Sequence, residues 1–167
     1  MRLASKSRFM VVAIVLGITA AIAGAVIYSS NLPQDNPACH DPDSISSHLY
    51  IPGRLQTIKS CITASGTVTA KRGEADGDYH ILVQLDPQYS NLTNQANVDH
   101  QHGWLVVEII CVLTVNQTDA IGPCKNYTNQ ITIPVVGQHI TFSGPYVLDS
   151  EHFYWSEIHP VYSLTIG

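Results

Sequence analysis

The sequence YHILVQLD at residues 79–86 alternates apolar and polar side chains along most of its length. Successive side chains of a β-strand point to opposite faces of the sheet. A strand here therefore places Tyr79, Ile81, Val83 and Leu85 on one face, which suits a core. Asp76, Asp78 and His80 share the other face. The segment predicts a half-buried strand that carries acids and an imidazole on its outer side.

Four other segments also predict strands, at residues 60–71, 104–115, 137–148 and 153–166. The first of them forms a hairpin with the strand at 79–86 around the acidic turn RGEADGD, which we interpret as a solvated tip. The segment WLVVEIICVLTV at 104–115 is apolar enough to be buried on both faces over part of its length. No sustained helical periodicity follows the N-terminal segment.

The order of these five strands matches that of an OB-type barrel. A closed barrel leaves no exposed sheet edge in so short a β domain, whereas an immunoglobulin-like sandwich needs about seven strands. We therefore predict an all-β fold, a small five-stranded OB-like barrel preceded by one N-terminal transmembrane helix.

The N-terminal residues predict attachment to a membrane. Three basic residues precede an uncharged apolar run at residues 9–28, which is long enough as a helix to cross the hydrocarbon core. The positive flank places the N-terminus in the cytoplasm and the rest of the chain outside it. A cleaved signal peptide is the alternative, because residues 23–25 (AGA) resemble a cleavage site, although secretory apolar regions are usually shorter.

This topology divides the chain into residues 1–8 in the cytoplasm, a transmembrane anchor or uncleaved signal at 9–28, a linker and first ordered segment at 29–55, and an extracytoplasmic barrel domain at 56–167. The exported part carries five basic and thirteen acidic residues. So acidic a domain, without a basic stripe, argues against general binding to nucleic acid or to anionic lipid.

All four cysteines lie in the exported part, where an oxidising compartment favours two disulfides. We predict a bond between Cys111 and Cys124, which closes a short loop, and therefore a second bond between Cys39 and Cys61. A cysteine-rich metal site is the alternative, but no C-x-x-C spacing is present. Three N-x-[ST] sequons are candidate glycosylation sites: Asn91, Asn116 and Asn126.

Carboxylates and imidazoles in and beside the strands form a candidate site. Glu108 lies within the apolar run LVVEIIC, and Glu157 lies between Trp155 and Ile158. A carboxylate in such a position is costly unless it is paired or faces a solvated groove. The complete candidate cluster is His80, Glu108, Asp149, His152, Glu157 and His159.

Three roles are open to this cluster: hydrogen-bonded structural ties, a ligand or metal site, and acid–base catalysis. A metal-dependent hydrolase would use His80, His152 and His159 as ligands of Zn²⁺ or another divalent cation, with Glu108 or Glu157 as the base. Late aromatic residues could also form a stacking face, although half-buried strand aromatics are more common. These are Tyr146, Tyr154, Trp155 and Tyr162.

The motifs D-x-H, E-x-x-C and D-x-x-H…E-[IL]-H-P-V, taken together over residues 60–164, resemble a group of small, uncharacterised exported prokaryotic proteins with an OB-like barrel. The resemblance implies that fold and the grouping of the motif residues, but no activity. The matching positions are His80, Glu108, Cys111, Asp149, His152, Glu157 and His159. The N-terminal segment also resembles those of archaeal ammonia oxidisers, which implies an accessory part of an extracytoplasmic membrane complex.

The sequence therefore predicts a membrane-anchored extracytoplasmic β-barrel module that binds a ligand or a protein partner without turnover. The alternatives are a metal-dependent hydrolase with a His/Glu site and a structural subunit of a membrane complex. The sequence has no G-x-S-x-G elbow and no phosphate-binding glycine loop.

Overall fold

The computed structural model describes residues 39–167. The anchor predicted at residues 9–28 and most of the predicted linker lie outside this range. Within residues 39–167, no helix has the length and apolar character that a membrane crossing requires.

The six strands that the structure describes belong to one sheet. The strands are β1 Leu55–Gly73, β2 Tyr79–Leu85, β3 Leu105–Ile109, β4 His139–Asp149, β5 Ser156–Ile158 and β6 Ser163–Ile166. Their order is β1-β2-β3-β5-β4-β6, and β1 also pairs with β4, so that five strands are linked in a ring. The β3–β5 pair is parallel and the other pairs are antiparallel. A mostly β domain is thus confirmed, with one strand more than predicted.

Short helical segments connect the strands in the described range. The α-helices are α1 Gln95–Gln101 and α2 Ile121–Cys124, and the 3-10 helices are Pro42–His48, Pro52–Arg54, Pro87–Leu92 and Thr118–Ala120. The start of α1 is fixed by reciprocal bonds, because the Asn94 side chain accepts from the Asn97 amide and the Asn97 side chain accepts from the Asn94 amide.

The core lies on the inner side of the strand ring. Alternate residues of β2, among them Ile81 and Val83, pack there against the fully buried Phe142 of β4. The opposite side of β2 and β3 carries a second apolar group with Leu82, Val106 and Trp155, against which Ala96 of α1 packs. The alternation in β2 thus separates the core from the outer side that holds His80.

Two strand predictions are corrected. The third strand ends at Ile109 rather than at residue 115, because Cys111 has a positive φ of 55° and the following residues leave the sheet. The single strand predicted at 153–166 is two strands, β5 and β6. Phe153 and Tyr154 form a turn before β5, and Pro160, which has no amide proton for a strand ladder, lies between the two strands.

Both predicted disulfides, Cys39–Cys61 and Cys111–Cys124, are present. The first ties the N-terminal end of the described chain to β1, and the second ties α2 to the residues that follow β3. All three sequon asparagines are exposed: Asn91, Asn116 and Asn126.

Candidate functional site: a buried carboxylate–imidazole cluster

Glu108 lies at the centre of a buried polar cluster on the outer side of β2 and β3. Its Oε1 atom is 3.0 Å from Nδ1 of His80, which is its direct partner in the β2–β3 register. Its Oε2 atom is 3.1 Å from Nδ1 of His159. Both histidines are 1% exposed and Glu108 is 4% exposed. One carboxylate therefore joins two imidazoles away from solvent.

Glu157 extends this cluster from β5. The parallel pairing sets Glu157 beside Val106, so that its side chain lies on the same side of the sheet as Glu108. Glu157 Oε1 is 3.0 Å from Nδ1 of His159, and Glu157 Oε2 accepts a hydrogen bond of 2.7 Å from the Trp155 indole. Both oxygens of a fully buried carboxylate thus have partners, which compensates for its desolvation.

His159 and Glu108 each stabilise the charged form of the other. Burial disfavours the imidazolium, but Glu108 and then Glu157 outweigh it and raise the pKa of His159 to about 9. Burial also opposes ionisation of Glu108, but His159 and then His80 outweigh it and lower the pKa of Glu108 to about 2. Burial and Glu108 raise the pKa of Glu157. At neutral pH, an imidazolium therefore bridges two acidic side chains.

Arg72 and Glu74 close the end of the cluster nearest to solvent. The Nη2 atom of Arg72 is 3.1 Å from His80 Nδ1, and its Nε donates a 2.8 Å bond to Glu74 Oε1. Glu74 Oε1 is in turn 3.6 Å from His80 Nδ1. The other ring nitrogen of His80 lies 3.3 Å from Gln101 Oε1 of α1. A guanidinium thus provides positive charge between Glu74 and His80.

Half of the acidic hairpin tip is buried, contrary to the prediction that it is solvated: Arg72, Gly73 and Ala75 are exposed, but the residues from 76 to 78 are not. Asp76 is 7% and Asp78 3% exposed, because the segment after Cys111 folds over the tip. The amides of Val112 and Leu113 donate to the Gly77 carbonyl at 2.8 Å each. This cover comes from residues distant in sequence, which is why local turn composition did not predict it.

Asp78 becomes part of the cluster through this burial. Its Oδ1 atom accepts a 2.7 Å bond from the Cys111 amide. Burial first, then the charges of Asp76 and Glu108, raise the pKa of Asp78 to about 8. Sequence reasoning noted that Asp78 shares the face of His80 but did not include it in the site; the strand alternation was the available signal.

Asp149 and His152 lie in a neighbouring group that does not join the two central histidines. Asp149, 1% exposed, is 3.2 Å from Arg54 Nε and 2.9 Å from His152 Nδ1. The His152 ring stacks on Trp155 with centroids 4.6 Å apart, and its side chain is 42% exposed. The proposed ligand set of His80, His152 and His159 is therefore not brought together.

Three groups of potential metal ligands have their ligand atoms within 4.8 Å of one another in residues 39–167. They are Glu74/His80/Glu108, Asp78/Glu108/His159 and Asp78/Cys111/Cys124. The last is excluded because its cysteines form a disulfide and offer no thiolate. The first contains the Arg72 guanidinium described above.

The late aromatic residues do not form the stacking face considered from the sequence. Tyr146 and Trp155 are buried, and Tyr162 is partly buried. Tyr154 is exposed, together with Phe153, which the sequence analysis did not select.

Between about pH 5 and pH 9, the free energy of unfolding of the metal-free chain is expected to fall by several kcal/mol. The contribution of His159 is complete below its unfolded pKa of 6.5 and is lost as the pH rises through about 9. Asp78 has the same sign, because its folded pKa of about 8 exceeds the unfolded 3.8 and ionisation opposes folding. Glu108 has the opposite sign, but its contribution is lost only as the pH falls from 4.5 through about 2.

Urea unfolding of the full-length chain, followed by tryptophan fluorescence with a chelator at several pH values, measures this dependence. The Asp78→Asn variant serves as the comparison and should show a shallower decline. A free energy of unfolding that is constant or rises between pH 6.5 and 9 would contradict the charge assignment.

No family model and no curated protein matches this sequence. The function is therefore inferred from the chemistry and exposure of the side chains.

Proposed function

We propose that this chain is a membrane-anchored, extracytoplasmic binding module of OB-like architecture, which docks to a protein partner and has no turnover of its own. The observation that carries the proposal is an exposed aromatic pair held on a strained turn, whereas the acid–base groups are buried. The two disulfides are compatible with an extracytoplasmic location.

The strand ring supports the OB-like part of the proposal. Its order, β1-β2-β3-β5-β4 and back to β1, agrees with a five-stranded Greek-key barrel, to which β6 is added along β4. OB-folds bind ligands on the face of strands 2 and 3 and in the loops between strands 1 and 2 and between strands 4 and 5. In this protein, that face of β2 and β3 carries the buried His80 and Glu108. A ligand would have to displace the protein's own side chains, so the exposed 4–5 loop is the better contact surface.

We name Phe153 and Tyr154 the aromatic turn. The two side chains are 67% and 47% exposed, and their φ angles are 60° and 61°. Bulky residues rarely adopt positive φ, which costs about 1–3 kcal/mol for each residue and is found mainly at functional sites. Two adjacent, exposed aromatic residues that are held in this conformation are typical of a functional surface.

Neighbouring groups hold the aromatic turn in place. The Tyr154 amide donates to the Asp149 carbonyl at 2.8 Å, and the Tyr154 carbonyl accepts from Asn94 Nδ2 at 2.7 Å. The Phe153 ring stacks on His100 with centroids 3.9 Å apart. Such a rigid turn loses little conformational entropy when a partner binds.

The shape of this surface favours a protein over a small molecule. Small-molecule sites are concave and enclose the ligand, whereas protein interfaces use a few aromatic anchors that enter pockets of the partner. Val98 of α1, the helix whose His100 stacks on Phe153, is 55% exposed and adds apolar area. The buried cluster also disfavours the hydrolase alternative, because a substrate cannot reach Glu108 or Glu157 in this conformation.

Photo-crosslinking in native membranes tests the docking surface. A photoreactive phenylalanine analogue at position 153 or 154 of the full-length chain is expected to give a protein adduct of one defined mass. The same analogue at Ile166, which is 39% exposed on β6, should not give it. The double variant Phe153→Gly/Tyr154→Gly should reduce the adduct formed from an analogue at Val98 by about tenfold or more.

The glycine variant also separates binding from folding. Glycine relieves the strain of the positive φ angles, but it loses the stacking of Phe153 on His100 and orders a more flexible unfolded chain. Because these effects oppose each other, the free energy of unfolding is expected to change by less than about 2 kcal/mol. Equal adducts from positions 153 and 166, or an adduct at Val98 that survives the double variant, would contradict docking through the aromatic turn. An adduct with the mass of a small molecule would contradict the choice of a protein partner.

A further inference from the structure

We infer that Asp78, Glu108 and His159 form a binding site for a divalent transition-metal cation, for which Zn²⁺ is the best match. One potential ligand atom from each residue lies within 4.8 Å of those of the other two, and all three side chains are buried. This site is independent of the aromatic turn and of the partner proposed for it.

The neighbouring triad shows how a cation is accommodated in this cluster. Glu74, His80 and Glu108 form a group of the same composition, two carboxylates and one imidazole. The guanidinium of Arg72 contacts both Glu74 and His80 there. In the second triad, Asp78 replaces Glu74 and His159 replaces His80. The hydrogen bonds of Arg72 are with the first triad. Arg54 is paired with Asp149, although its charge also acts on Glu108 and His159 of the second triad.

The charge around the second triad favours an added cation. Asp76 places a second carboxyl beside Asp78. Its Oδ1 atom accepts a hydrogen bond from the Asp78 amide at 3.2 Å. Glu157 brings a further carboxyl to His159 at 3.0 Å. In the metal-free cluster, the single charge of the His159 imidazolium stands against several buried acids. A divalent ion that displaced its proton would bring more positive charge to the same place.

The residues of the triad are held by further hydrogen bonds, as metal ligands usually are. The Cys111 amide orients the Asp78 carboxyl, and Glu157 contacts His159 while accepting from the Trp155 indole. Glu157 and Glu108 both contact Nδ1 of His159, at 3.0 and 3.1 Å, so an ion bound between Glu108 and this nitrogen would replace the proton that the two carboxylates share.

The donor set selects the class of ion. Imidazole with carboxylates suits Zn²⁺ and, less well, Mn²⁺. Ca²⁺ requires six to eight oxygen ligands, and Cu⁺ prefers thiolate or thioether sulfur, which this triad does not offer. We therefore expect Zn²⁺ to bind more tightly than Mn²⁺, and both more tightly than Ca²⁺.

The Asp78→Asn variant tests the site without disrupting the fold. Asparagine keeps an oxygen that can accept from the Cys111 amide, and it removes a carboxyl whose ionisation is already disfavoured by burial. The metal-free variant should therefore be at least as stable as the wild type, so that lost metal binding cannot be attributed to unfolding. Glu74→Gln is the matched control, because it removes an acid from the triad that contacts Arg72.

The experiment uses the full-length chain in detergent, without a histidine tag, stripped with a chelator and titrated with Zn²⁺, Mn²⁺ and Ca²⁺. Calorimetry and elemental analysis should show about one Zn²⁺ per wild-type chain, and Zn²⁺ should raise the unfolding temperature. The Asp78→Asn variant should bind Zn²⁺ with an affinity reduced by about 100-fold or more, and Zn²⁺ should no longer raise its unfolding temperature. The Glu74→Gln variant should behave as the wild type.

Three results would overturn the inference. The first is the lack of saturable Zn²⁺ or Mn²⁺ binding to the folded wild type. The second is equal Zn²⁺ affinity in the wild type and Asp78→Asn, which would place the ion elsewhere, such as at the exposed His100 and His102. The third is tighter binding of Ca²⁺ than of Zn²⁺, which would contradict the donor set.

Discussion

Replacing Glu108 with glutamine is expected to lower the free energy of unfolding of the metal-free chain by about 3–5 kcal/mol. Glu108 lies 3.0 Å from His80 and 3.1 Å from His159, and these rings are buried. Glutamine has a similar shape but cannot balance the imidazolium charge of His159. The loss is large because the remaining charge stays in a region of low polarity without its partner.

Urea unfolding with a chelator present measures this change, and Glu74→Gln provides the control. Glu74 contacts the same cluster but is 26% exposed and pairs with the half-exposed Arg72, so its replacement should change the free energy of unfolding by about 1 kcal/mol or less. If both substitutions lowered the free energy of unfolding equally, burial would not strengthen the contacts of Glu108. That result would contradict a large contribution of the buried cluster to the stability of the domain.

Removing the Cys111–Cys124 disulfide by the double substitution Cys111→Ala/Cys124→Ala is expected to lower the free energy of unfolding by about 3 kcal/mol. The bond closes a loop with a sequence separation of 13. It also holds the segment that covers the hairpin tip, where the Val112 and Leu113 amides bond to Gly77. Loss of this cover gives water access to Asp76 and Asp78.

Hydrogen exchange distinguishes this effect from general destabilisation. The amides of Val112, Leu113 and Asn116 should lose protection in the Cys111/Cys124 variant, because their acceptors lie in the covered tip. A variant without the Cys39–Cys61 disulfide should lose stability without selective loss at these amides. Retained protection of the tip after removal of Cys111–Cys124 would show that the disulfide does not hold the cover in place.

The outer position of His80 and the mostly β character of the domain could be predicted because they depend on local patterns. Alternation along β2 separates His80 from Ile81 and Val83 whatever the remaining chain does. Glu108 could be selected as a candidate site residue for a similarly local reason, since it interrupts an apolar run. The exact opposition of His80 and Glu108 in the register was not predicted, because it requires the pairing of two strands separated by α1.

The errors have non-local or conformational causes. The burial of Asp78 depends on residues after Cys111, and the end of β3 depends on a positive φ at a cysteine, for which composition gives no signal. Phe153 and Tyr154 were assigned to a strand because aromatic residues favour strands, but the bonds of Tyr154 to Asp149 and Asn94 hold a turn instead. Tertiary contacts outweighed intrinsic preference in each case.

The position of β5 in the ring determines when, during synthesis of the chain, the domain can fold completely. Among residues 39–167, the strand that lies between β3 and β4 and pairs with both is the short β5, and Glu157 in this strand also completes the polar cluster. During synthesis, β3, which ends at Ile109, emerges well before β5, which begins at Ser156, and a parallel pairing of this kind is slow to form. Until then, the edge of β3 that β5 will cover is unpaired and prone to association. The ring can therefore close only after β5 has been synthesised, so that this edge stays open to other chains for longer than it would if consecutive hairpins completed the sheet.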